Sequence, residues 1–130
     1  MPDISILIAD DSCLWRTQVR KVLHERPDWQ IAGEAYDGQQ AVQHASELRP
    51  DIIILDIGMP VLNGIDAAEQ IRRASPNSKI VFLSQYLEPE IIEQALAAGA
   101  VGYVVKAYAA RELFPAIEAA LRDAIEQPLR

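Results

Sequence analysis

The chain has 130 residues, 50% hydrophobic and 24% charged, which suits one compact soluble domain. The formal net charge of -7 argues against direct nucleic-acid binding, because such binding needs basic residues that displace counterions from phosphates. The sequence lacks both an apolar run of about 20 residues and the features of a signal peptide, and its single cysteine cannot form an internal disulfide. We therefore expect a cytoplasmic protein without a membrane span.

Five short apolar segments have the composition of β-strands. They are Ile4 to Ala9, Gln30 to Ala35, Ile52 to Leu55, Ile80 to Leu83 and Val101 to Val105. Three of them are nearly uniform runs of β-branched residues and leucine, as expected of parallel strands that are covered on both faces. The second segment is weaker, which favours an edge position for that strand.

A segment with helical periodicity follows each predicted strand. These segments are Ser12 to Arg26, Gln39 to Leu48, Ile65 to Ala74, Pro89 to Ala98 and Arg111 to Ile125. In the first, Trp15 lies on the apolar stripe and is interpreted as a core residue, and Cys13 is interpreted as a small buried residue. Pro115 predicts that the last helix starts near Ala110 and has a slight kink, since a proline deep in a helix loses a backbone hydrogen bond.

Strands that alternate with helices through five rounds predict an α/β fold with right-handed crossovers and a parallel sheet. The ligand site of such a sheet lies outside the carboxyl ends of its strands. We expect one domain over residues 1–126, with 127–130 as a tail or the start of a linker.

Polar residues follow four of the five predicted strands directly. Asp10 and Asp11 follow the first strand, Asp56 the third, Ser84 the fourth and Lys106 the fifth. Because parallel strands bring their carboxyl ends to one edge of the sheet, these side chains are expected to converge. Each of these residues alone could be an ordinary polar residue at a solvent-exposed strand end. That explanation does not account for all of them occurring together at four strand ends.

Three neighbouring carboxylates repel one another unless a cation joins them, and oxygen ligands without histidine or cysteine suit a hard cation such as Mg²⁺. A carboxylate is also a nucleophile toward phosphorus, and catalysis of that transfer is mostly positioning and charge neutralisation. Asp56 is the natural phosphoryl acceptor and the Asp10–Asp11 pair the natural metal holder. Lys106 and Ser84 are expected to contact phosphoryl oxygens.

These residues resemble the receiver domain of two-component response regulators over nearly the whole chain. The matching motifs are Asp10–Asp11, Pro50–Asp51 before the third strand, Asp56, Met59–Pro60, Asn63–Gly64, Ser84, Ala98–Gly99–Ala100 and Gly102 to Lys106. The segment Asp56 to Gly64, together with Ser75–Pro76–Asn77, is most similar to the subfamily with a LuxR-type helix-turn-helix output.

The resemblance implies a flavodoxin-like three-layer sandwich with strand order 2-1-3-4-5 and phosphorylation of Asp56 by a sensor histidine kinase. It also implies Mg²⁺ ligation by Asp11, Asp56 and the backbone carbonyl of Gly58, with Asp10 acting through water. Ser84 and Tyr103 would form the switch, since Tyr103 turns inward when Ser84 moves toward the phosphoryl group. A homodimer through helix 4, strand 5 and helix 5 is a further expectation from the family.

Two features differ from many receivers. Ala107 stands where proline often follows the lysine, which removes the reason to expect a cis peptide. Gln85 and Tyr86 are bulky residues after Ser84, so we expect them to screen a phosphoryl group from water and to slow its hydrolysis.

Three functions remain open from the sequence. The favoured one is a phosphorylation switch that is not an enzyme toward a separate substrate and that controls transcription through an output domain beyond residue 126. The alternatives are a stand-alone receiver in phosphorelay or protein–protein signalling, and a Mg²⁺-dependent phosphatase with an aspartyl nucleophile. The phosphatase is disfavoured because Gly58 occupies the position, two residues after Asp56, where an acid would protonate the leaving group.

Overall fold

Five parallel strands form the central sheet of the computed structural model, which describes residues 3 to 126. They are β1 Ile4–Ala9, β2 Trp29–Ala35, β3 Ile52–Leu55, β4 Lys79–Ser84 and β5 Gly102–Val105. Their order, β2-β1-β3-β4-β5, confirms the predicted flavodoxin-like topology and the edge position of β2. The predicted tail, residues 127–130, lies outside the described residues.

Five helices connect and follow the strands. They are α1 Cys13–Leu23, α2 Gly38–Leu48, α3 Gly64–Ala74, α4 Pro89–Ala97 and α5 Ala109–Glu126, with a short 3-10 turn at Lys106–Tyr108 before α5. Each was predicted to within a few residues, and the largest difference is the end of α1, three residues before the predicted Arg26. Pro115 lies inside α5, and the Lys106–Ala107 peptide bond is trans, like every other in residues 3–126.

Polar side chains set the start of three helices directly after a strand or loop. Ser12 Oγ accepts a hydrogen bond from the Trp15 N–H at the start of α1, at 3.3 Å. Asp37 caps α2 and Asn63 caps α3 in the same way. Each cap satisfies a backbone donor that the first helical turn leaves free. Cys13, the first residue of α1, is exposed, so its predicted burial was wrong.

The helices cover both faces of the sheet, so each strand contributes alternate side chains to two separate cores. Helices α1 and α5 pack on the face that carries Ile6, Ile8 and Ile54, where Leu113 and Ile117 are fully buried. Helices α2, α3 and α4 cover the opposite face, with Phe82 its largest fully buried side chain. This double burial explains the uniformly apolar strands. Among residues 3–126, no helix is both long and apolar enough to span a bilayer.

Candidate functional site

The three predicted acidic residues meet at the carboxyl edge of the sheet. Each of Asp10, Asp11 and Asp56 offers a carboxylate oxygen, and these oxygens all lie within 4.8 Å of one another. The backbone builds the cluster, because the Asp56 N–H donates to the Ala9 carbonyl at 2.9 Å and continues the β1–β3 pairing past the strand ends. Asp10 and Asp56 are buried, whereas Asp11 is exposed.

The amine of Lys106 completes the cluster from the end of β5. Its Nζ lies 2.9 Å from Asp10 Oδ2 and 3.5 Å from Asp56 Oδ2, and its side chain is only 10% exposed. The other carboxylate oxygen of Asp10 accepts the Ser12 N–H at 2.9 Å. Asp10 is thereby held between the lysine and the first turn of α1.

Asp56 is in an environment that disfavours its negative charge. Burial is the largest cause of the raised pKa of this carboxyl group, and the charge of Asp10 adds to it. The amine of Lys106 and a hydrogen bond from the Ile57 N–H act in the opposite direction and keep the increase smaller. A further cation at the cluster would therefore favour the ionised form that a nucleophilic carboxylate needs.

Asp56 opens into a cleft of about 360 Å³ at the sheet edge. The cleft is lined by Asp11, Ser12, Trp15, Asp56, Gly58, Gln85, Tyr86 and Lys106. Gly58 thus lies beside the acidic cluster, as a carbonyl ligand would require. A β-carbon on Gly58 would lie 3.3 Å from the Tyr86 hydroxyl oxygen, so the tyrosine ring covers this side of the cleft.

Ser84 and Tyr103 meet through the backbone of Tyr86. The buried Ser84 Oγ accepts the Tyr86 N–H at 3.2 Å, and the Tyr103 hydroxyl donates to the Tyr86 carbonyl at 2.8 Å. The Tyr103 side chain is partly buried, and this burial raises the pKa of its phenol. The two predicted switch residues are thus connected by hydrogen bonds to the backbone of one residue, Tyr86. Their switching roles stay predictions.

The Asn63–Gly64 motif has a packing reason at this site. A β-carbon on Gly64 would lie 1.9 Å from the carbonyl oxygen of Asp56, so the start of α3 approaches Asp56 this closely only with glycine. The Gly64 N–H in turn donates to the Ile57 carbonyl at 2.8 Å.

Two residues of α1 belong to the site although the sequence did not single them out as functional. Trp15, interpreted as core, is partly buried and places its indole ring centroid 5.0 Å from Lys106 Nζ. Arg16 donates from Nη1 to the Asp10 carbonyl at 2.7 Å and from Nε to Glu34 at 3.1 Å. The available signal was their place in the first helical turns after the acidic pair.

The chain is similar to known proteins over most of its length. Residues 6–118 match the family model described as response regulator receiver domain. The chain is 40% identical over 119 residues to the uncharacterized transcriptional regulatory protein YxjL of Bacillus subtilis, covering 92% of this chain and 55% of YxjL. It is 37% identical over 103 residues to the chemotaxis protein CheY of Thermotoga maritima, covering 79% and 85% of the two chains.

A solved structure of a LuxR-family two-component response regulator from Aurantimonas sp. superposes with a TM-score of 0.87 at 32% identity. The match covers 92% of this chain and 86% of that one. The chain spans about half the length of YxjL and of several other transcriptional regulators that it matches.

Proposed function

The chain belongs to the response regulator receiver domain family, and we propose that it accepts a phosphoryl group on Asp56 from a sensor histidine kinase. The observation that carries this proposal is the position of the Asp56 carboxylate. It lies in a cleft, within 4.8 Å of two other acids and 3.5 Å from the amine of Lys106. Receiver domains are signalling domains, so the chain acts as a switch rather than on a separate substrate.

In the transfer, a carboxylate oxygen of Asp56 attacks the phosphorus of a phosphohistidine. The new O–P bond replaces the P–N bond of the donor, and the imidazole leaves. Lys106 is close enough to Asp56 to pair with a phosphoryl oxygen, and Ser84 offers a hydroxyl at the neighbouring strand end. Positioning and neutralisation of charge supply most of the catalysis in such a reaction.

The acidic cluster fits Mg²⁺, which receiver domains bind at this pocket. The direct donors would be carboxylate oxygens of Asp11 and Asp56 and the Gly58 backbone carbonyl, with Asp10 acting through water. A bound Mg²⁺ would offset the mutual repulsion of the carboxylates and the charge on the phosphoryl oxygens. Of the protein groups, Asp10 also keeps Lys106 in place, since their ion pair is the shorter of the two that the lysine makes.

Phosphorylation would be transmitted through Ser84, Tyr86 and Tyr103. In the structure, the Ser84 hydroxyl accepts the Tyr86 N–H, and the Tyr103 hydroxyl donates to the Tyr86 carbonyl. The charge and acceptor oxygens of a phosphoryl group would attract the Ser84 hydroxyl and disturb this arrangement. The change is a shift between conformations of the α4–β5–α5 face. Exposed Leu96 on α4 and Val101 before β5 support this face as a homodimer interface.

For the whole regulator we propose control of transcription through a LuxR-type helix-turn-helix domain, with residues 1–126 as the receiver and 127–130 as the start of a linker. The likeness to a LuxR-family regulator and to longer transcriptional regulators supports this output. A stand-alone receiver is the second candidate, supported by the 85% coverage of the chemotaxis protein CheY. A cytoplasmic location suits both.

The proposal is tested with acetyl phosphate and Mg²⁺, with the mass of the intact protein as the readout. We expect one added phosphoryl group on the unaltered chain and none on Asp56→Asn. Asp66→Asn is the matched control, because Asp66 is an exposed aspartate on α3 outside the cleft. Labelling of Asp56→Asn to the same extent as the unaltered chain would refute the assignment.

A further inference from the structure

Trp15 lies where the phosphoacceptor cleft meets a second cavity. Its backbone N–H donates to Ser12 Oγ at the start of α1. Its side chain packs against the core between the sheet and helices α1 and α5. Trp15 lines the cleft that contains Asp56. It also lines an apolar cavity of about 260 Å³ between α1 and α5, where Val19 and Leu113 are among the lining residues.

Lys106 borders both of these cavities as well. Its amine has two carboxylate partners, Asp10 at 2.9 Å and Asp56 at 3.5 Å, and the indole face of Trp15 lies 5.0 Å from Nζ. A lysine has a flexible four-carbon stem, so the two carboxylate contacts alone do not hold its amine in a single place. The indole ring supplies a third contact.

An aromatic face attracts an ammonium group because of its quadrupole, and the attraction is stronger where water is excluded. The Lys106 side chain is mostly buried, so its contact with Trp15 is shielded from water. A smaller aliphatic side chain at position 15 would remove this attraction and leave room for the amine to withdraw from Asp56.

We propose that Trp15 is a positioning residue, whose indole face holds the Lys106 amine at the cleft and thereby sets the rate of phosphoryl transfer to Asp56. The inference rests on the proposed function, and it adds a residue from α1 to the transfer machinery. Trp15 acts through Lys106, so its effect must vanish when the lysine amine is absent.

The test measures the rate of Asp56 phosphorylation by acetyl phosphate and Mg²⁺ in Trp15→Leu and Trp15→Phe. Loss of a shielded cation–π contact predicts that Trp15→Leu slows labelling by roughly 3- to 30-fold. Trp15→Phe keeps an aromatic face and should recover most of the rate. Trp29→Phe is the matched control, because Trp29 packs against Arg26 and Phe114 and lies outside the cleft, and it should label at the unaltered rate.

A double-mutant cycle separates positioning from a packing effect. In a Lys106→Met background we expect Trp15→Leu to cause no further slowing. Equal slowing in both backgrounds, or an unaltered rate in Trp15→Leu, would overturn the proposal. Trp15→Met retains bulk without an aromatic face and replaces the leucine variant if that variant does not fold. If the unaltered chain is not labelled at Asp56, the proposed function itself fails, which is a different result from a labelled chain that is insensitive to Trp15.

Discussion

At the scale of single residues, the site combines a proposed phosphoryl acceptor, whose negative charge is disfavoured, with neighbours that hold the surrounding groups in place. Asp56 is buried beside Asp10, and both causes raise the pKa of its carboxyl group. Arg16 donates hydrogen bonds to the Asp10 backbone carbonyl and to the Glu34 carboxylate, so it links the segment that carries Asp10 and Asp11 to the end of β2. The arrangement keeps the carboxylates close together despite their repulsion.

Tyr86 covers one side of the cleft with its ring, so we expect it to limit the access of water to a phosphoryl group on Asp56. We expect Tyr86→Ala to shorten the lifetime of the phosphorylated chain several-fold, measured as the decay of labelled protein after the phosphodonor is removed. The ring lies beside Gly58, whereas the bond from Tyr103 goes to the Tyr86 backbone. The substitution therefore opens the cleft without removing a donor or acceptor of the switch.

Gln85→Ala should have a smaller effect in the same direction, because Gln85 lines the cleft but is exposed. Tyr108→Ala is the control, since Tyr108 is an exposed tyrosine on the 3-10 turn and does not line the cleft. Unchanged lifetimes in both Tyr86→Ala and Gln85→Ala would show that these side chains do not shield the phosphoryl group.

At the scale of elements, the site depends on tight connections between strands and helices. The loop from β3 to α3 turns sharply at Val61, where the Leu62 N–H donates to the Pro60 carbonyl at 2.7 Å. This short turn returns the chain so that Gly64 packs on Asp56. The turn gives Val61 a φ of +71°, which a β-branched residue rarely adopts.

Replacement of Val61 should stabilise the protein, because this side chain is 74% exposed and contributes little packing to offset its strained backbone. A left-handed conformation costs a non-glycine residue about 1–3 kcal/mol. A glycine at position 61 also lowers the free energy of unfolding by up to about 1 kcal/mol, because it gives the unfolded chain more conformations. We expect Val61→Gly to raise the free energy of unfolding by roughly 1 kcal/mol in urea denaturation.

Val101→Gly provides the comparison, because Val101 is also exposed but has a φ outside the left-handed region. That substitution should lower the free energy of unfolding. A loss of stability in Val61→Gly equal to that in Val101→Gly would show that the turn at Val61 is not strained.

At the scale of the whole molecule, the fold gathers like charges at one edge, in a protein whose net charge is already -7. The raised pKa of Asp56 means that the folded chain binds the proton of this group more tightly than the unfolded chain does. The resulting loss of stability is present at pH values above the folded pKa. It disappears below the ordinary value near 3.8.

Asp56→Asn should therefore raise the midpoint of unfolding of the metal-free protein at neutral pH, and this gain should vanish at strongly acidic pH. Mg²⁺ should stabilise the unaltered chain by about 2.7 kcal/mol at a concentration 100 times its Kd. It should stabilise Asp56→Asn less, since one ligand carboxylate is gone. Urea denaturation of the metal-free protein at neutral and strongly acidic pH measures the first effect. Urea denaturation with and without Mg²⁺ measures the second.

Asp66→Asn again serves as control and should respond to Mg²⁺ like the unaltered chain, because Asp66 is exposed and lies outside the acidic cluster. An equal response to Mg²⁺ in Asp56→Asn would place the metal away from the acceptor. A metal-free Asp56→Asn that is less stable than the unaltered chain would contradict the inferred repulsion.

Much of the fold was predictable because its signals are local. The bounds of β1 and β3 were predicted without error, since each is a mostly apolar segment that stops at an aspartate. The end of α1 and the exposure of Cys13 were predicted wrongly. Where a helix ends, and whether a side chain in its first turn is buried, depends on which surfaces the neighbouring elements cover.

The amino-acid sequence by itself determined that four strand ends carry an acid pair, an acid, a hydroxyl and an amine, and topology then requires these groups to share one edge. Only the tertiary structure decided that Trp15 faces Lys106 and that Tyr103 bonds the backbone of Tyr86. The physical reason is that strand and helix periodicity are properties of neighbouring residues. A contact between α1 and the end of β5 depends instead on how both elements pack on the sheet, which no local pattern encodes.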